Sequence, residues 1–153
     1  VPVIGLAQAS FLAAGARGRF AVVTGGHAWK PMLQRFARAQ QLDAQLTGIH
    51  TVALTGAQIA AAPDHARELL VEAARLGVAQ GATSMLLGGA ALAGMAPALQ
   101  DRVPIPVLDN VTLAAQAIVD VVTAAPPLPA AAVAPGLTTI GLGAALAGLL
   151  RGH

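Results

Sequence analysis

The chain has 153 residues, 56% of them hydrophobic and 10% charged, with a net charge of +2 and no cysteine. That length carries one domain with a real core, while the missing cysteines exclude a disulfide framework and any thiolate metal site. Basic residues are scattered without a run and aromatics are 3%, so the sequence gives no support to nucleic-acid binding.

Pro2 to Gly5 reads as a short buried strand, and Leu6 to Ala16 as a small-residue helix closed by Gly15 or Gly18. Arg19 to Thr24 is a strand ending in Gly25-Gly26. A helix is expected from about Ala28, with Pro31 in its first turn. Its positions Trp29, Met32, Leu33, Phe36 and Ala37 share one face at helical spacing. Gly48 to Leu54 is the next strand, ended by Thr55-Gly56. Pro63-Asp64 opens the strongest helix, with an inner stripe of Ala66, Leu69, Leu70, Ala73, Ala74 and Gly77 and a stop at Gly81. Met85 to Leu87 is a buried strand, interrupted by Gly88-Gly89 and followed by a small-residue helical run to about Gln100. Ile105 to Leu108 is a strand, and Asp109-Asn110 caps a last helix, Leu113 to Val122.

Strands alternating with helices predict an α/β fold with a parallel sheet of about four strands flanked by helices. In such sheets ligands bind beyond the carboxyl ends of the strands. Those ends collect Thr24, Gly25, Gly26, Gly88, Gly89, Ala90 and Asp109. A strand that turns through glycines into a helix exposes backbone N–H groups, so Gly88 and Gly89 are expected to open an anion site. The competing reading is that they only permit tight packing. The ring suits a small polar or anionic ligand held by amides and hydroxyls. His27 follows the first loop and is a weaker candidate donor; Asp109 is a helix cap, a ligand contact or both.

Other chemistries fit poorly. Gly141-Leu142-Gly143 begins a dinucleotide pattern that fails at Leu146, and neither glycine loop carries a phosphate-binding lysine. His27, His50, His65 and His153 lack ligand spacing, so no metal is expected. Ser10, Ser84 and Asp109 form no nucleophile pattern. Val121 to Leu150 carries no charge, but Pro126, Pro127, Pro129 and Pro135 break it, and a membrane span is not expected.

Four segments resemble the aspartate/glutamate/hydantoin racemase superfamily, in its hydantoin or allantoin racemase-like branch. Pro2-Val3-Ile4-Gly5-Leu6-Ala7-Gln8-Ala9 is similar to that family's Pro-Val-Val-Gly-Ile-Ala-Glu-Ala. Phe20-Ala21-Val22-Val23-Thr24-Gly25 resembles its Phe-Ser-Val-Val-Thr-Thr strand, and Met85-Leu86-Leu87-Gly88-Gly89-Ala90 its Ile-Val-Leu-Gly-Cys-Ala loop. Pro106-Val107-Leu108-Asp109 is similar to its Pro-Val-Ile-Asp. The resemblance runs from Pro2 to Val122, with a looser match over residues 136–150.

The resemblance implies two pseudo-symmetric α/β lobes around a cleft and a cytoplasmic isomerase that needs no cofactor. Family members use paired cysteines, one thiolate removing the α-proton and the opposite thiol returning one. The second family cysteine falls on Gly89, the first on a strand before Pro2, and a family glutamate on Gln8. The expected division is thus residues 1–18 as the last strand and helix of an incomplete first lobe, 19–123 as the main α/β lobe, and 124–153 as a Pro/Ala-rich linker with a C-terminal apolar helix. The expected function is a truncated or variant racemase acting on a small carboxylate or hydantoin-like substrate, self-associating, and inactive alone. Two alternatives remain open: a non-catalytic carboxylate-binding or oligomer-forming remnant, and a related decarboxylase or isomerase whose single cysteine lies upstream.

Overall fold

The computed structural model describes residues 3–124 together with Gly141, Gly143 and Ala144. The expected linker and C-terminal helix otherwise lie outside the described residues. In chain order the elements are α1 (Leu6–Gly15), β1 (Phe20–Gly25), α2 (Trp29–Ala39), β2 (Leu46–Val52), α3 (Gly56–Ala61), α4 (Pro63–Ala79), β3 (Ser84–Gly88), α5 (Ala96–Gln100), β4 (Val107–Asp109) and α6 (Asn110–Ala124). The four strands form one sheet in the order β2-β1-β3-β4 with every pair parallel.

Alternation along the strands divides the core into two layers. On one face Phe20, Val22, Ile49 and Leu86 meet Phe11 and Ala14 of α1 and Ala37 of α2. On the other, Ala21, Val23, Met85 and Leu87 meet Ile59 of α3, Leu70, Val71 and Ala74 of α4, and Leu99 of α5. The chain's three phenylalanines lock the first layer: Phe11 stands edge-on to Phe20 at 5.5 Å and to Phe36 at 5.4 Å. Edge-to-face pairs contribute about 0.5–1.5 kcal/mol beyond their burial. In the second layer small residues bring α4 down onto the sheet, with Gly77 over Ala21 and Met85.

Three local expectations are corrected. Val3 to Gly5 is extended but pairs with no strand, because the chain enters α1 directly at Leu6. Residues after Gly89 form no continuous helix: a 3-10 turn spans Ala90–Leu92, and Gly94, at φ +78°, bends the chain before the five-residue α5. A short helix absent from the expected elements, α3, has its start fixed by a capping box. Thr55 Oγ1 accepts from the Gln58 N–H at 3.3 Å, and Gln58 Oε1 accepts from the Thr55 N–H at 2.8 Å. The Thr-x-x-Gln spacing was a readable signal. On α2 the expected apolar face is only partly inward: Ala37 is buried and Leu33 and Phe36 half-buried, whereas Trp29 and Met32 are 52% and 42% exposed.

His50 on β2 lies half-buried beside Gly77 of α4. Burial pulls its pKa below the ordinary 6.5; adjacent Gln80 opposes the shift, and Lys30 adds a smaller lowering. No bond of normal geometry forms to the ring, and Nε2 is buried without a partner. A histidine depressed on folding takes up its proton more readily in the unfolded chain. Its stabilising share is therefore whole above 6.5 and is lost as pH falls through the folded value. Urea midpoints are expected to be lower at pH 5 than at pH 7.5, with His50→Gln removing part of the difference. An unchanged pH profile in His50→Gln would reject this account.

Candidate functional site

The route of the chain through the sheet sets the site. From β1 the first crossover goes outward to β2, and the next returns past β1 to β3 on its other side. Adjacent strands whose connections leave in opposite directions open a crevice at their carboxyl ends. Here that crevice lies between β1 and β3, where Thr24 is paired with Gly88. The loops Thr24-Gly25-Gly26 and Gly88-Gly89-Ala90 are thus brought together at the switch point.

A cavity of about 720 Å³ occupies this position. That size is within the usual range for small-molecule sites. Its polar rim holds Thr24, Gly25, Gly26, His27, Gly88, Gly89 and Ala90. Asp109 is not among the lining residues. One carboxylate oxygen, Oδ1, accepts from the Val111 and Thr112 N–H groups at 2.9 and 3.0 Å, capping α6; Oδ2 accepts from the Gly94 N–H at 2.5 Å. Both oxygens are used inside the fold, and the side chain belongs to a cap and a loop tie. What periodicity did not reveal is the apolar wall, including Leu6 and Phe11 of α1, Trp29 and Leu33 of α2, Leu54, and Leu86 of β3. Asn110, next to Asp109, also lines the cavity.

The glycines divide by role. A Cβ on Gly25 would stand 2.8 Å from the Leu54 carbonyl oxygen, and one on Gly88 3.1 Å from Val22 Cγ1. Those two serve close packing. Gly89 differs: its φ of +106° excludes ordinary side chains on conformational grounds, yet a Cβ there meets nothing nearer than Thr24 Oγ1 at 3.6 Å. Among the described residues the Gly89 and Ala90 N–H groups donate to no backbone carbonyl, whereas the Gly26 N–H is taken by Val52 O at 2.9 Å. The second loop therefore offers two N–H groups without a backbone acceptor, supplied by a turn rather than by a helix end.

His27 is exposed at the rim, and its Nδ1 is hydrogen-bonded to Thr51 Oγ1. Among the described residues no lysine, arginine, aspartate or glutamate lines the cavity. Among the described residues there is no group of three or more side chains able to hold a metal ion, and no helix is long and apolar enough to cross a membrane.

The strand order and connections define a doubly wound α/β lobe with a cavity at its switch point. A family model described as Asp/Glu/Hydantoin racemase matches residues 1–118, and the chain belongs to that family. Among solved structures the fold is similar to an allantoin racemase from Pseudomonas fluorescens, with a TM-score of 0.76 and 24% identity over 80% of this chain and 53% of that one. It is also similar to an allantoin racemase from Klebsiella pneumoniae, with a TM-score of 0.69 and 23% identity over 80% and 51%. The chain thus spans about half the length of these structures. A search of curated proteins finds no match.

Proposed function

We propose that this chain is a ligand-binding lobe of a racemase-type protein, holding a small carboxylate or hydantoin-like molecule by the free amides of Gly89 and Ala90. The observation that carries the reading is the pairing of those two unengaged donors with an apolar cavity at the switch point. Amide donors of this kind stabilise the negative charge that develops on a carbonyl when a neighbouring carbon loses its proton. Cofactor-independent proton transfer at that carbon is the activity to which such a lobe belongs. The chain itself holds no thiol to carry it out. Exposed Leu6 and Trp29 of the cavity wall, with exposed Met32 one turn on from Trp29, favour self-association in the same reading, and a cytoplasmic location is part of it.

The test is amide chemical-shift titration with 5-benzylhydantoin and, separately, 3-phenylpropanoate. Saturable shifts are expected at Gly89 and Ala90 with at least one of them. Gly89→Val places a branched side chain over these amides and forces the loop out of its positive-φ conformation. Binding is expected to weaken at least tenfold, with the Gly77 and Leu70 resonances unmoved as the check on folding. Equal affinity in the variant rejects the site.

A further inference from the structure

Charge is divided unevenly along this chain. Residues 1–42, which build α1, β1 and α2, hold five basic residues (Arg17, Arg19, Lys30, Arg35 and Arg38) and no acidic one. All seven carboxylate side chains lie in residues 43–124, with only three arginines, Arg67, Arg75 and Arg102. Among the described residues the two salt bridges, Arg67 to Asp64 and Arg102 to Glu68, both belong to that second group. The five N-terminal cations are in neither. Asymmetry of this kind points to an anionic partner.

The fold gathers most of these cations on one surface. Phe11 of α1 meets Phe36 of α2 edge-on, so the two helices lie side by side over the same face of the sheet. Helical spacing turns Leu33, Phe36 and Ala37 inward and leaves Arg35 and Arg38 on the outward side of α2, exposed together with Lys30. Arg17 is exposed just beyond α1. Set among them are apolar side chains that the core does not cover: Trp29 is 52% exposed, Leu12 47% and Met32 42%. Asp64, Glu68 and Glu72 stand on α4, over the opposite face. Asp43 follows α2, and Asp120 on α6 accepts from Gln116 Nε2 at 2.8 Å.

We propose that the outer surface of α1 and α2 docks on an anionic lipid bilayer, lying on it rather than crossing it. Lys30, Arg35, Arg38 and Arg17 meet the headgroups, and Trp29, Met32 and Leu12 enter the interfacial zone. Cations held near such a surface and apolar groups placed in it are two separate sources of attraction, and stable anchoring takes both. A protein partner asks for a contiguous apolar core of matched shape. Here the apolar groups are single side chains among cations, and indole and guanidinium groups suit the bilayer interface without any matched shape. A nucleic acid asks for several stacking platforms, and Trp29 is the one exposed aromatic ring among the described residues. Meeting a second copy through this same surface brings like charges together, which an anionic bilayer does not. The proposal stands apart from the amide site at Gly89 and Ala90.

The chain has a single tryptophan and no tyrosine, so its emission reports on Trp29. The full chain is mixed with vesicles of phosphatidylcholine and phosphatidylserine in equal parts, and separately with phosphatidylcholine alone. With the anionic vesicles the emission is expected to move to shorter wavelength, to be quenched by brominated lipid, and to revert as salt is raised to about 0.5 M. Neutral vesicles should leave it unchanged. Replacing both Arg35→Gln and Arg38→Gln should weaken co-sedimentation at least tenfold, with an unchanged urea midpoint as the check on folding. Arg75→Gln, on α4, should bind as the unmodified chain does. Equal binding to neutral vesicles, emission that brominated lipid does not quench, or full binding by the double variant would overturn the proposal. Polyglutamate or single-stranded DNA that shifts the emission as strongly and displaces the vesicles would assign the surface to an acidic protein or a nucleic acid instead. A shift that follows chain concentration without lipid, with no co-sedimentation, would assign it to a second copy.

Discussion

Incubated in D₂O with either enantiomer of aspartate, glutamate or 5-benzylhydantoin, this 153-residue chain is expected to lose no α-proton faster than buffer does. Racemisation needs a base on one face of the carbon and an acid on the other, each contributing about 10²–10⁴-fold. The chain has no thiol. Among the described residues the single titratable side chain in the cavity is His27, at the rim and engaged by Thr51, and one imidazole serves one face. Asp109 has both oxygens occupied elsewhere. Gly89→Cys is not expected to restore exchange. Space for the thiol exists beside Thr24, but the φ of +106° makes any side chain there cost about 1–3 kcal/mol, and the opposite face stays empty. Proton NMR of the α-position measures it. Exchange well above buffer that disappears in His27→Ala would overturn the expectation and make His27 a base.

Gly77→Val is expected to destabilise the fold. Glycine in a helix interior is normally a weakness, and replacing it gains up to about 1 kcal/mol in helix propensity. Contact distances reverse the sign. A Cβ at Gly77 would lie 2.7 Å from Ala21 Cβ and 2.7 Å from Met85 Cε. The methionine end can move aside; the alanine Cβ is fixed to the central strand β1. Two further methyl groups press α4 away from a layer in which Ala21, Ala74 and Met85 are almost wholly buried. Overpacking of this kind costs about 1–3 kcal/mol, occasionally more, and valine should fall at the upper end. Urea denaturation measures it; a midpoint equal to or above that of the unmodified chain would show that α4 and the sheet do not approach so closely in solution.

Much of the architecture was legible because it is written in short-range pattern. Short apolar runs ended by glycines marked β1 and β3, and the inner stripe marked α4, where Ala66, Leu70, Ala73, Ala74 and Gly77 are buried and Leu69 is half-buried. Failures came where pattern carries no long-range information. Val3 to Gly5 is apolar enough for a strand but has no neighbour to pair with. Residues 90–100 have helical composition, yet Gly94 at φ +78° breaks them into a turn and a short helix. The loops that rim the cavity could be named in advance because they are the carboxyl ends of the strands, which only strand boundaries are needed to find. Its apolar wall could not, because Leu6, Phe11 and Leu33 reach the crevice through the packing of α1 and α2.

The strand order also has a consequence in time. β1 can pair with β2 as soon as residue 52 is available, a short loop closure by the standards of parallel sheets. Its other edge waits for residues 84–88. Contacts that close long stretches of chain form slowly, and a chain made from its N-terminus exposes the unpaired edge of β1 while α4 is being synthesised. The crevice therefore cannot form until β3 has been made. Until β3 docks, the strand destined for the centre of the sheet is an open edge, the kind to which chaperones bind and through which nascent chains aggregate.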